Sequence, residues 1–154
     1  MPAAISAQEL AAFVGRELGV SDWREVTQDQ VDRFADVTDD DQFIHVDPAR
    51  AAAETPFGGT VAHGFLTLSL LSSFGREALP AIRDRAIGIN YGLERVRFLS
   101  PVRVGSRLRG RFGLLALTMR RERELQMRYA VTIELEGSDR PALAAEWLTL
   151  AILR

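Results

Sequence analysis

The sequence predicts an α+β fold in which an antiparallel sheet wraps around one long buried helix, with further helices at the N-terminal end. Two observations carry this expectation. The first is HGFLTLSLLSSFG, His63 to Gly75, where Phe65, Leu66, Leu68, Leu70, Leu71 and Phe74 point in nearly every direction around a helical wheel. Only the small polar residues Thr67, Ser69, Ser72 and Ser73 interrupt them. A helix that is apolar all round belongs in an interior, because none of its faces prefers water. The second is the chain that follows, where apolar and polar residues alternate with the period of half-buried strands.

In order along the chain, Ser6 can cap a helix over Ala7 to Leu18 with Leu10, Phe13, Val14 and Leu18 on one side. Thr27 followed by Gln30 forms a capping box that opens TQDQVDRFADV, whose apolar stripe is Val31, Phe34 and Ala35. Asp47-Pro48 reads as an N-cap followed by proline at the first helical position, starting ARAAAE. Beyond the apolar helix, AIGINYGLERVRF keeps one alternation phase through Leu93 and the other from Val96, the signature of a β-bulge. RVGSRLRGRF places Arg103, Arg107, Arg109 and Arg111 on one face, and LQMRYAVTIELE alternates throughout. LAAEWLTLAIL is apolar on both faces, which predicts a central strand, and GSDRP is the turn before it.

A chain of 154 residues is expected to form one domain, 1–154, with a core of its own. Its 47% hydrophobic and 26% charged residues set aside disordered and fibrous classes. The formal charge of -2 gives no footprint for nucleic acid or a membrane surface. The absence of cysteine removes disulfides, thiol nucleophiles and thiolate metal sites. No apolar run approaches membrane-spanning length and MPAAISAQEL lacks the regions of a signal peptide, so a cytoplasmic location is expected.

The stretch DDDQFIHVDP, Asp39 to Pro48, raises the question of chemistry. Asp40 and His45 cannot share a helix face at this spacing, but in a loop they can converge on one water and manage its protons. A carboxylate partner would raise the histidine pKa. The same spacing also fits solvated aspartates at a helix C-terminus and a satisfied loop histidine. TPFGGTVAHGF then leads through Gly58-Gly59 to His63-Gly64 at the start of the apolar helix. Unpaired N–H groups there suit a developing oxyanion, and Gly64 would let a carbonyl approach closely. Gly64 could equally relieve crowding between helix and sheet, and His63 could be a packing residue.

These residues resemble the MaoC-like hydratase/dehydratase family, which includes (R)-specific enoyl-CoA hydratases, and are most similar to its nodulation protein N-like branch. The motifs that carry the resemblance are DDQFIHVDP, PFGGTVAHGF and INYGLERVRF, in that order over nearly the whole chain. The resemblance implies a single hot-dog fold and reversible hydration of 2-enoyl-CoA thioesters to (3R)-hydroxyacyl thioesters. It assigns Asp40 and His45 to water activation and the Gly64 N–H to the thioester carbonyl. No cofactor or metal is implied, since coenzyme A is part of the substrate, and a homodimer is expected. Gln42 stands where relatives have a proline-containing version of the motif, and it could bond across the loop. Gln42 and His63 are candidate substrate-binding residues, while Ser72 and Gly75, deeper along the helix, are candidates for setting pocket depth. The arginine face could meet coenzyme A phosphates or simply be solvated. The competing readings are a hot-dog acyl-thioesterase and a non-catalytic acyl-thioester-binding subunit.

Overall fold

The computed structural model describes residues 4–154. Its sheet is antiparallel throughout. Four long strands form its body: β3 (Arg85–Phe98), β4 (Arg107–Arg121), β5 (Glu124–Leu135) and β6 (Leu143–Leu153). Two short strands, β1 (Glu17–Val20) and β2 (Arg24–Glu25), both pair with β4, and the main order is β1-β4-β5-β6-β3. β6 lies between β5 and β3, as its two apolar faces require. The phase change in β3 is a bulge: Arg95 has φ 54° and the register with β6 shifts between Glu94 and Arg97.

The N-terminal helix is shorter than its apolar stripe predicts. α1 spans only Ala7–Ala11, and Leu18 belongs to β1. Gly15, at φ 81°, turns the chain out of the helix, and its N–H donates to Leu114 O at 2.7 Å. Sheet pairing therefore takes residues that a local helix would have claimed. The capping box of Thr27 and Gln30 opens α2 (Gln28–Thr38), and Asp47 caps α4 (Pro48–Glu54) through the Arg50 N–H at 3.0 Å.

The apolar segment forms two helices, α5 (Gly64–Ser69) and α6 (Leu71–Ala78), with a break at Leu70 and one turn beyond Gly75. The Ser69 and Ser73 hydroxyls donate back to Leu66 O and Leu70 O on either side of that break, competing with the helical ladder. Leu66, Leu71 and Phe74 face the sheet, whereas Phe65 is 69% exposed, so a single chain buries only one side of this helix. Helix and sheet approach closely at Gly110 of β4, where an added Cβ would lie 2.8 Å from both Phe74 Cβ and the Phe112 ring. Phe74, Leu108, Phe112, Ile133 and Leu143 form the centre of the core with no measurable exposure.

The arginine face of β4 is occupied by carboxylates. Arg107 pairs with Glu136, Arg109 and Arg111 with Glu134, and Arg111 also with Glu17. Arg103 lies outside β4 and donates to Gly58 O at 3.0 Å. Cross-strand ion pairs on a solvated face thus engage Arg107, Arg109 and Arg111, and a backbone carbonyl engages Arg103.

Candidate active site

The loop after α2 begins at Asp39, which takes a left-handed conformation at φ 56° and turns the chain out of the helix. Asp39, Asp40, Asp41 and Gln42 are all exposed. A single helical turn, α3 (Phe43–Val46), then carries His45 inward to 8% exposure. That turn is clamped to Val61 in both directions. The Val61 N–H donates to Ile44 O at 2.9 Å, and His45 Nδ1–H donates to Val61 O at 2.6 Å. Gln28, at the start of α2, donates to His45 O at 2.7 Å and accepts from the Thr60 hydroxyl at 2.6 Å.

The bond to Val61 fixes the chemistry of His45. A carbonyl can only accept, so Nδ1 carries the proton and Nε2 presents a bare lone pair in the neutral ring. Burial holds the His45 pKa below its ordinary 6.5; the Val61 bond opposes this, His63 adds to it and Asp40 opposes it. Desolvation therefore outweighs the carboxylate, and the raised value expected from the Asp/His pairing is reversed.

His63 lies against this ring. The two imidazoles stack with centroids 3.8 Å apart and planes inclined by 26°, and Phe34 packs on the far side at 5.0 Å. His63 is only 2% exposed and its Nε2–H donates to the backbone carbonyl of Asp40 at 2.8 Å. Its Nδ1 is buried without a hydrogen-bond partner. One ligand-type atom each from Asp40, His45 and His63 falls within 4.8 Å of the others. Lone pairs lie in the ring planes, so two nearly parallel rings direct them side by side. Convergence on one ion at about 2.0–2.1 Å from each nitrogen is poorly matched.

His45 and Gly64 line one cavity of about 270 Å³, together with Phe57, Thr67, Phe98 and Val102. No side chain caps α5, so the N–H groups of its first turn remain available. An added Cβ at Gly64 would sit 3.0 Å from the Phe98 ring, so glycine also serves the packing there. Ser72 and Gly75 lie elsewhere, on a second cavity of about 440 Å³ with Tyr129, Trp147 and Thr149. The structure thus brings Asp40, His45 and His63 into one cluster, joins His45 to Gly64 through a cavity and sets Ser72 and Gly75 deeper along the helix. The Gln42 side chain makes no hydrogen bond among the described residues. Gln28, Thr60 and Val61 carry no local sequence signal, because the bonds that link them to one another and to α3 cross between segments distant in sequence.

The family model described as "MaoC like domain" matches residues 9–135. The chain is 53% identical over 146 residues to "Nodulation protein N" of Rhizobium leguminosarum bv. viciae, covering 95% of this chain and 91% of that protein. It is 46% identical over 141 residues to "3-hydroxyacyl-thioester dehydratase Z" of Mycobacterium tuberculosis, covering 92% of each. Among solved structures, the "(R)-hydratase from A. caviae involved in PHA biosynthesis" superposes with a TM-score of 0.70 at 27% identity, covering 86% of this chain and 95% of that one.

Proposed function

This chain belongs to the MaoC-like domain family, and from that premise we propose that it catalyses the reversible (R)-specific hydration of 2-enoyl-CoA thioesters. The observation that carries the proposal is the shared cavity of His45 and Gly64, with the histidine tautomer fixed by Val61 and Asp40 close by. The kinship to a 3-hydroxyacyl-thioester dehydratase supports the same chemistry in the reverse direction.

In this mechanism Asp40 and His45 hold a water against the β-carbon of the enoyl thioester. As its oxygen bonds to that carbon, Nε2 of His45 accepts its proton and the C=C electron pair moves toward the thioester carbonyl. The Gly64 N–H stabilises the enolate oxygen, a donor already in place before charge develops. The α-carbon then takes a proton from the Asp40/His45 pair on the same face, giving a 3-hydroxyacyl thioester. No redox step occurs, and no cofactor beyond the coenzyme A of the substrate is required. A thioesterase would want an acidic residue on α5, which has none; Glu77, in α6, is turned toward the Asp22 N–H and Arg24.

The working unit in this proposal is a homodimer. β3 is an edge of the sheet and 14 residues long, with Ile87, Ile89, Tyr91 and Leu93 exposed. A long apolar edge invites pairing with another strand, and pairing with β3 of a second copy would cover it. The test of function is loss of the conjugated enoyl absorbance of crotonyl-CoA, with the product resolved by chirality. Formation of (3R)-hydroxybutyryl-CoA supports the reading; thiol release, or no reaction with short, medium and long enoyl thioesters, removes it.

A further inference from the structure

Helix α5–α6 and strand β3 enclose a groove that one side chain divides. A cavity of about 410 Å³ begins beside Phe34, whose ring packs on His63, and Phe65, the chain neighbour of Gly64. It adjoins the 270 Å³ cavity of His45 and Gly64 in sequence but shares no lining residue with it. The 440 Å³ cavity continues toward Leu79 and Arg85. The two share only Ser72, Asn90 and Trp147.

Trp147 is fixed on several sides. Its indole N–H donates to Asn90 Oδ1 at 2.7 Å, and its ring meets Phe112 and Tyr129 at centroid distances of 6.3 and 6.0 Å. Its edge abuts Gly75, where an added Cβ would lie 2.9 Å from ring atom Cζ3. With cavities on two sides of it, the indole is held in place by the Asn90 bond and by its contacts with Gly75, Phe112 and Tyr129. The near cavity is walled chiefly by Phe34, Phe65, Leu68, Leu71 and Leu93, whereas the far one adds Arg76, Arg85, Tyr129 and Thr149. Burial pushes the Tyr129 hydroxyl up to about 12, so it remains a protonated polar group in the far wall.

We propose that Trp147, pinned by Asn90, is the stop that sets the length of acyl chain accepted. This rests on the hydratase reading above. Ser72 follows Gly64 by eight residues (72 − 64), which is about 12 Å of helix. An extended saturated chain of roughly ten carbons spans that length, since C–C bonds of about 1.5 Å at tetrahedral angles advance about 1.25 Å each. Chains up to that size end in the near cavity. Longer ones meet the indole and the polar far wall.

The test measures calorimetric binding of butyryl-, octanoyl- and hexadecanoyl-CoA, which are saturated and do not react. The proteins are the parent, Trp147→Leu and Asn90→Ala, each checked by thermal unfolding. The parent is expected to bind hexadecanoyl-CoA at least tenfold more weakly than octanoyl-CoA. Trp147→Leu should abolish that drop, and Asn90→Ala should reduce it. A parent without the drop overturns the proposal, as does a drop that survives in every variant that folds. Asn90 is exposed, so its variant decides the matter if Trp147→Leu does not fold. Crotonyl-CoA hydration by the parent separates the two ideas. Hydration without a chain-length break removes the stop and keeps the hydratase, whereas a break without hydration keeps the stop and removes the hydratase.

Discussion

His45 and His63 lie stacked with ring centroids 3.8 Å apart, yet only His45 lines the cavity that contains Gly64. His45 spends its Nδ1 proton on Val61, which leaves Nε2 as a bare lone pair in the neutral ring. His63 spends its Nε2 proton on the Asp40 carbonyl and so ties the aspartate loop to the start of α5. Two similar side chains thus differ in which nitrogen is committed.

The first consequence concerns pH. Burial, the leading cause, places the His45 pKa below 6.5, so the acid limb of kcat/KM should have its midpoint below 6.5. The sign for stability follows from proton counting. The folded state binds fewer protons here than the unfolded one, so this contribution is complete above about 6.5. It is lost as pH falls through the lower folded value. An imidazole NMR titration of the two histidines, assigned through His63→Gln, checks both statements; a His45 midpoint above 6.5 contradicts them.

His63 should act by position rather than by contact with substrate. His63→Leu removes the donor to Asp40 O and leaves its loop untethered. Kcat should fall roughly 10²-fold with KM little changed, the scale of a misplacement near 1 Å. His63→Gln keeps a donor and should recover much of the loss. Equal losses in both variants would point to a different role.

Packing makes a separate prediction at Gly110. Its missing Cβ is the space in which Phe74 and Phe112 meet β4. Gly110→Ala should cost about 1–3 kcal/mol through overpacking, read from the denaturant midpoint at constant slope. Phe74→Ala, which leaves a cavity, should cost about 3–5 kcal/mol.

The exposed edge strand predicts assembly. Charge placed along β3 by Ile87→Lys with Tyr91→Lys should convert a dimer into monomers by light scattering, because two such edges would repel. A parent that is monomeric at micromolar concentration would contradict the pairing through β3.

The parts of this molecule legible in its sequence were those encoded locally. Thr27 with Gln30, Asp47 with Pro48 and the phase change in β3 each act over a few residues, and each is found where its pattern lies. β1 and β2 were missed because they are four and two residues long and exist through pairing with β4. The break at Leu70 was hidden by an uninterrupted apolar pattern, since serine back-bonding leaves no trace in hydropathy. At the site, Asp40, His45 and Gly64 stood out through their motifs. The histidine stack, the Val61 clamp and the Trp147–Asn90 bond join residues distant in sequence, and neither period nor spacing encodes them.

The most direct measurement is kcat/KM for crotonyl-CoA hydration by the parent, Asp40→Asn, His45→Gln and the double variant, all of verified fold. Each single change is expected to lower the rate by about 10²–10⁴-fold, and the double by little more, because the pair acts as one unit on one water. Variants that stay within threefold of an active parent would contradict the assignment of Asp40 and His45 as the catalytic pair.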